Sequence, residues 1–364
     1  MPFSFGVACF SFGYVRQVPY SFTADDYRTA VEALLSSLPS VTDIVIDVGE
    51  LGRSPLISEK PVHMQDGDGL PYFDDARISF SVYIPRRVQE DLTSRVGLQR
   101  RVVAENFHVH IRTEYDGPVA FVECVGSGRE DDPSMAVFLV REYLKKHLGG
   151  NEGPAHFDYM GPSPFHADFY LSHGAPSADS NFKLTHTPRK GYDKYQFEVD
   201  SQGVDYVDLL GLYGEIAGEL SLYYFLMRRR RDLLSSASNY EHRWATVRKC
   251  VDSARFSNVL EATSRHREVR SLISDGYALQ AELAVVISEM KLMVAREYED
   301  GTPSYFEKVV RKVVEQFPQF SVDPILRWAE HVDGASYKRL EILAVIAASV
   351  IGGLIGALIT SAIK

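Results

Sequence analysis

The sequence predicts an α+β N-terminal domain, followed by an all-α coiled-coil domain and one C-terminal transmembrane helix. Strand-like alternation and turn residues are concentrated before residue 204, nearly continuous helical periodicity begins at 205, and residues 342–363 contain no charged side chain. These changes place the three domains at 1–204, 205–335 and 336–364. Strands separated by few helices predict a mostly antiparallel sheet with helices on one side.

Composition and charge restrict the classes of protein to consider. The chain has 364 residues, enough for two folded domains, and a net charge of -10. This acidic balance argues against general nucleic-acid binding, which works by neutralising phosphate groups. Cys9, Cys124 and Cys250 are too far apart for a zinc site or a disulfide framework, which indicates a reducing compartment. No cofactor is predicted.

Local signals define the elements of the N-terminal domain. Thr23 is a predicted N-cap, with Asp26 three residues later, and opens a helix that runs to about residue 37. Asp116-Gly117 predicts a tight hairpin turn between two strands. The other predicted elements are a helix at 132–147 and strands at the N-terminus and at 43–48, 77–84, 107–113, 119–125, 165–171 and 195–199.

The second domain is predicted to be nearly all helix. Residues 205–234 carry apolar side chains at helical spacing, and residues 304–317 form an amphipathic helix. Between them, apolar positions follow a heptad from Val269 to Met293 that Gly276 interrupts. The pattern fits either an intermolecular coiled coil or a long helix inside a monomeric bundle.

A single membrane helix is predicted at 342–363. Its 22 uncharged residues would span about 33 Å, close to the ~30 Å of a bilayer's hydrocarbon core. Lys338 and Arg339 precede it, as a cytosolic basic anchor would. The alternative is a buried helix of a soluble core. We expect a single-pass tail anchor in a bacterial inner membrane, with a cytosolic N-terminus and membrane lipids as partners.

Small residues in this segment recur every four positions in two adjacent rows. Helix backbones can approach closely along such rows, because no large side chain holds them apart. The sequence therefore predicts self-association and a homo-oligomer. The predicted packing residues are Ala348, Ser349, Gly352, Gly353, Gly356, Ala357, Thr360 and Ser361.

Three polar side chains, His108, His110 and Arg112, share one face of a predicted strand. A two-residue turn at 116–117 would place His110 opposite Glu123. Two imidazoles and a carboxylate could bind a metal ion, so His108, His110 and Glu123 are the candidate metal ligands. The arginine and the histidines could instead hold an anionic ligand. A polar sheet face with a His–Glu pair is the third interpretation.

A run of four positive side chains lies in the first predicted helix of the second domain. Consecutive helical residues spread around the axis, so the four cannot share one face. They could contact an anionic lipid surface, a phosphate-bearing ligand, or solvent at a helix end. Together with Arg112, the candidate ligand-binding residues are Arg228, Arg229, Arg230 and Arg231.

The order of these parts resembles that of bacterial membrane effectors in antiviral defence, in which a cytosolic sensing domain controls a small membrane part. The resemblance is one of layout. No Gly-x-Ser-x-Gly, HExxH or Walker sequence is present, so no familiar enzyme class is indicated. The leading hypothesis is a sensor–effector that binds a small ligand or a protein partner and controls oligomeric helices that permeabilise the membrane. The alternatives are a passive membrane-tethered protein-binding scaffold and a membrane-anchored metal-dependent enzyme.

Overall fold

A computed structural model describes residues 3–14, 23–49, 76–94, 102, 104–114, 117–126, 132–149, 153–161, 163–174, 181–200, 203–253, 259–299, 304–317, 320 and 322–362. The chain forms two compact units. Unit 1 contains residues 1–228 and 294–313, and unit 2 contains residues 229–293 and 314–364. The unit boundaries after residues 228, 293 and 313 each fall within a helix.

The described elements alternate in type through unit 1 and become helical after residue 205. In chain order they are β1 (Phe3–Ala8), β2 (Phe10–Tyr14), α1 (Ala24–Ser36), β3 (Val41–Val48), β4 (Ala76–Tyr83), α2 (Arg86–Ser94), β5 (Asn106–Glu114), β6 (Gly117–Cys124), α3 (Pro133–Leu148), β7 (Ala155–Tyr159), β8 (Ala167–His173), β9 (Phe182–Thr187), β10 (Asp193–Val199), α4 (Tyr206–Asp252), α5 (Val259–Glu297), α6 (Glu307–Glu315) and α7 (Val322–Ala362).

The predicted α+β class is confirmed, with a large mixed sheet. Eight strands pair in the order β3-β4-β5-β6-β1-β8-β10-β9, and β2 and β7 form a separate pair. Among the described strands only β8 and β10 pair in parallel; the other neighbours are antiparallel. The sequence pattern does not predict β2, β7 or β9.

One face of the sheet packs against α1 and α3. The predicted cap is present, because the Thr23 side chain accepts from the Asp26 backbone and the Asp26 side chain accepts from the Thr23 backbone. The buried Tyr27 that follows donates a hydrogen bond to the Phe12 carbonyl at 2.6 Å. Alternate residues of β4 and β5, among them Ile78 and Val109, complete this core.

The second face of the sheet is also covered, so the prediction of helices on one side is wrong. Tyr213 of α4 stacks on Phe121 of β6 with ring centroids 4.1 Å apart and meets Phe5 of β1 edge-on. Phe306, just before α6, packs against Phe165 and other aromatic side chains of the same face. This second face is rich in aromatic side chains. Their large apolar surfaces are stabilised by burial, so this face needs a covering layer, as the first face does.

Unit 2 packs α5 against the parts of α4 and α7 that belong to the same unit. The buried heptad positions of α5 face this cluster, which favours a helix inside a bundle of one chain. Gly276 explains the interruption of the heptad. A Cβ atom there would overlap the Tyr240 hydroxyl and lie 2.6 Å from the Leu326 Cδ2 atom, so the missing side chain allows a close approach.

The packing at Gly276 makes a stability prediction. We expect Gly276→Val to lower the free energy of unfolding of unit 2 by about 2–3 kcal/mol, because overpacking displaces Tyr240 and Leu326. Gly334→Val is the matched control, since it changes helix propensity equally and nothing lies within 4 Å of its Cβ position. Urea unfolding followed by the fluorescence of Trp244 and Trp328, both in unit 2, measures the difference. Equal stabilities of the two variants would contradict the close approach.

Helix α7 extends from Val322 to Ala362 and includes most of the segment predicted to cross a membrane. Over the part of the chain that the structure describes, no helix combines the length and the apolar character needed to cross a membrane.

Candidate functional site

A cleft of about 760 Å³ lies in unit 1, between the polar part of the second sheet face and the first two turns of α4. This size is typical of sites for small molecules. The floor comes from β3, β4 and β5, and the wall comes from Tyr206, Leu210 and Tyr213 of α4. Its polar and charged lining residues are Asp43, Asp47, Arg77, Ser79, Ser81, His108, His110 and Arg112.

A β-bulge determines which residues of β3 enter the cleft. The register with β4 shifts between Thr42 and Val45, and Asp43 has a φ angle of 54°. Aspartate tolerates this left-handed conformation better than most residues do. The extra residue reverses the alternation, so Val45 and Asp47 point to the cleft side while Ile46 packs on the core.

The register of β5 with β6 pairs His108, not His110, with Glu123. The prediction of His110 opposite Glu123 is therefore wrong, although the shared face of His108, His110 and Arg112 is confirmed. The cause is the turn, because Gly117 pairs with Glu114 as part of the strand and the register moves by two residues. Asp116 itself lies outside the described residues.

The buried Glu123 carboxylate forms an ion pair with His108, with 3.3 Å between Oε2 and Nδ1. Both atoms are buried, and the pair falls outside hydrogen-bond geometry. The Glu123 carboxylate raises the pKa of His108, while partial burial opposes the shift. His108 therefore presents a readily protonated ring to the cleft.

His110 behaves in the opposite way. Burial, reinforced by the charge of His108, lowers the pKa of His110 to about 4. Its Nε2 atom is in hydrogen-bond contact with the Tyr206 hydroxyl at 2.8 Å. Two histidines that are two residues apart on one strand thus differ in protonation near pH 6, with the neutral ring in the centre of the cleft floor.

Arg112 joins the sheet to α4. Its Nε atom donates to Glu114 at 3.1 Å, and its Nη1 atom lies 3.2 Å from the position that a Cβ of Gly214 would occupy. Because Tyr206 contacts His110 and Gly214 contacts Arg112, the start of α4 follows β5 along the cleft. Arg77 of β4 is the cross-strand neighbour of Arg112.

The four consecutive arginines do not form one surface. Arg228 is 2% exposed in unit 1, and its guanidinium lies over Gly117. Arg229 and Arg231 belong to unit 2 and are exposed, with Arg231 3.8 Å from Asp232. Of the predicted ligand-binding arginines, Arg112 is the one that lines the cleft.

Two other predicted sites are the metal site on β5 and β6 and the helix-packing residues of α7. Among the described residues no group of three or more His, Cys, Asp or Glu side chains is arranged to hold a metal ion, so His108, His110 and Glu123 are not brought together as a ligand set. Ala348 and Ser349 are exposed on α7, and Ser349 donates to the Val345 carbonyl at 2.8 Å. The helix backbone is described at the other predicted packing positions but their burial is not: Gly352, Gly353, Gly356, Ala357, Thr360 and Ser361.

Several residues that line the cleft are not among the predicted site residues. The alternation that puts Ile78 and Phe80 on the core also puts Arg77 and Ser79 on the opposite face, so the signal for these two is present in the sequence. Tyr206 gives no such signal. Its role depends on where α4 begins relative to β5.

No protein-family model matches the chain, and no curated protein or solved structure is significantly similar to it.

Proposed function

We propose that this protein is a membrane-attached sensor–effector. Its cytosolic part binds a ligand in the cleft of unit 1, and its C-terminal segment enters a membrane and permeabilises it as an oligomer. The observation that carries the membrane part is the exposure of apolar side chains on α7. Ile342, Val345, Ile346, Val350 and Ile351 are each more than half exposed.

These exposed residues are not confined to one face of the helix. Ala348, Ser349, Val350 and Ile351 are consecutive and all exposed. Since successive helical residues are about 100° apart, four in a row cover nearly the whole circumference. A helix that is apolar on all sides needs an apolar environment, and the part of the chain that the structure describes leaves these positions exposed. A bilayer would supply it, as would packing between copies.

Two further features support the assignment. Residues 342–363 contain no charged side chain, and Lys338 and Arg339 stand before them, on the side expected to face the cytosol. The small-residue rows that include Gly352 and Gly356 fit close helix–helix packing, and hence an oligomer. The bacterial inner membrane is the proposed location.

Flotation with liposomes tests the membrane assignment. We expect the full-length protein to float with vesicles. The bound fraction of Val350→Glu should be at least tenfold lower than that of the wild type, because a buried charge near the centre of a bilayer is strongly unfavourable. Val285→Glu is the matched control, since Val285 and Val350 are both 56% exposed. If the wild type does not float, or if both variants behave alike, the membrane assignment is wrong.

Leakage of a trapped dye separates an effector from a passive tether. We expect the double substitution Gly352→Leu with Gly356→Leu to keep flotation but abolish leakage and membrane-dependent toxicity, because leucine holds the helices apart. Unchanged leakage would refute the proposed role of the small-residue rows. Flotation without leakage in the wild type, even with ligand present, would favour the passive tether.

A further inference from the structure

Three of the five exposed large apolar side chains that the structure describes in unit 1 line the cleft, and the other two, Tyr83 and Val207, do not. Val45 is 60% exposed, Tyr206 41% and Leu210 40%, and all three line the cleft. Val45 comes from the edge strand β3, whereas Tyr206 and Leu210 come from α4, so they face the cleft from different elements. Exposed apolar side chains in a concave site are typical of a place that binds an apolar group of a ligand.

The cross-strand rows of the cleft floor differ in charge. Val45, Ser79 and His110 are cross-strand neighbours in one row. Because His110 has its pKa lowered to about 4, this row carries no charge near neutral pH. The row suits a flat uncharged ring lying between β3 and α4.

The next row on the cleft side contains Asp47, Arg77 and Arg112. It is two residues further along the strands, a separation of about 7 Å. The Arg112 guanidinium has five N–H donors in a planar fork, and its contact with Glu114 uses the Nε donor. Two neighbouring arginines are well suited to bind a carboxylate or a phosphate.

The acidic residues that line the cleft, Asp43 and Asp47, lie in different rows. Asp47 is in register with Arg77, in the same row. Asp43 lies at the other end of the cleft, where its charge contributes to the raised pKa of His108. A cationic ligand would therefore be drawn to Asp43, and an anionic ligand to Arg77 and Arg112.

We propose that the cleft binds a small molecule with an aromatic ring and an oxyanion, the ring between Val45 and Leu210 and the oxyanion at Arg77 and Arg112. This inference rests on the assignment of the cleft as the ligand site of the proposed function and specifies its ligand class. The distance of about 7 Å between the two rows matches an oxyanion attached directly to a ring of one or two fused cycles.

Titration calorimetry with matched probes tests the proposal on the full-length protein, against a reference with the same detergent. The oxyanion probes are 2-naphthyl phosphate and 2-naphthoate. Inorganic phosphate lacks the ring, 2-naphthol lacks the charge, and 2-naphthylmethylamine reverses it. We expect at least one oxyanion probe to bind about tenfold or more tightly than each of these three compounds.

Four variants locate the bound probe. Arg112→Gln should lower the affinity for the oxyanion probe about tenfold, whereas Arg87→Gln, on the exposed surface of α2, should leave it unchanged. Leu210→Ser should lower the same affinity severalfold. Its control is Leu234→Ser, because Leu234 has the same 40% exposure and lies outside the cleft. Circular dichroism of each variant verifies that it is folded.

The outcomes are distinct. Binding of neither oxyanion probe, tighter binding of the amine, or equal binding by Arg112→Gln and the wild type would each overturn the assigned ligand class. Liposome flotation and leakage are independent of this titration. A membrane-active protein that ignores the probes would thus disprove the inference alone, and an inert protein that binds them would disprove the effector alone.

Discussion

Replacing Glu219 by alanine should destabilise unit 1 by about 4 kcal/mol or more, near the upper end of single-residue effects. Glu219 is a buried carboxylate of α4, 6% exposed. It accepts hydrogen bonds from the Tyr305 and Phe306 backbone amides at 2.8 and 2.9 Å. The Tyr298 and Ser304 hydroxyls donate to it as well, each at 3.1 Å. Its loss leaves these four donors, of which the Phe306 amide is buried, without this acceptor, and bonds to a charged group contribute about 1.5–3 kcal/mol each.

The matched control is one helical turn away. Glu215 is exposed and accepts from the Tyr305 hydroxyl at 2.7 Å, so Glu215→Ala should lower stability by roughly 1 kcal/mol or less. Glu219→Gln, of nearly the same size, should lie between the two. Hydrogen exchange of residues 304–313 measures unit 1, while the fluorescence of Trp244 and Trp328 monitors unit 2. Equal exchange in the two alanine variants would show that Glu219 does not hold this segment.

Acidification from pH 7 to pH 4 should reduce stability by about 3 kcal/mol through His110 alone. Its folded-state pKa is lowered to about 4 by burial, compared with 6.5 for the free side chain. As the pH falls below 6.5 the unfolded chain therefore binds a proton that the folded chain does not, and the unfolded state is favoured. The contribution is absent above pH 7 and levels off below pH 4.

His108 works in the opposite direction, because its pKa is raised by Glu123. Its stabilising contribution is complete at low pH and is lost as the pH rises through the raised pKa. Urea unfolding of the wild type and of His110→Gln at several pH values isolates the contribution of His110. The stability difference between the two proteins should decrease by about 3 kcal/mol from pH 7 to pH 4. His173→Gln, an exposed histidine of β8, serves as the control. A pH-independent difference for His110→Gln would contradict a neutral buried ring.

Local chemistry predicts a large part of unit 1. The helix α1 begins at Thr23 as the capping residues indicate, and alternation identifies both faces of β4 and β5. Strand register is harder to predict, because it depends on which residues form the turn. Glu114 pairs with Gly117, so a turn displaced by one position along the chain exchanges His110 for His108 as the partner of Glu123.

The cleft was predictable only in part, because its walls come from distant segments. The sequence identifies His108, His110 and Arg112 as a polar set, but the bulge at Asp43 decides that Val45 and Asp47 join it. No local signal predicts a bulge, since it is selected by the packing of Ile44 and Ile46 on the core. Residues from α4 enter the cleft through tertiary packing, which outweighs any local preference.

The division of unit 1 into two chain segments has a consequence for synthesis. Phe306 covers Phe169 and Tyr195, yet it follows the whole of residues 229–293 in the chain. At about 5–20 residues per second, the ribosome needs roughly 5–20 s to proceed from residue 205 to 313. During that interval the aromatic side of a nascent sheet lacks its final layer. Chaperone occupancy of the growing chain should therefore peak before residue 306 emerges and decline after it docks.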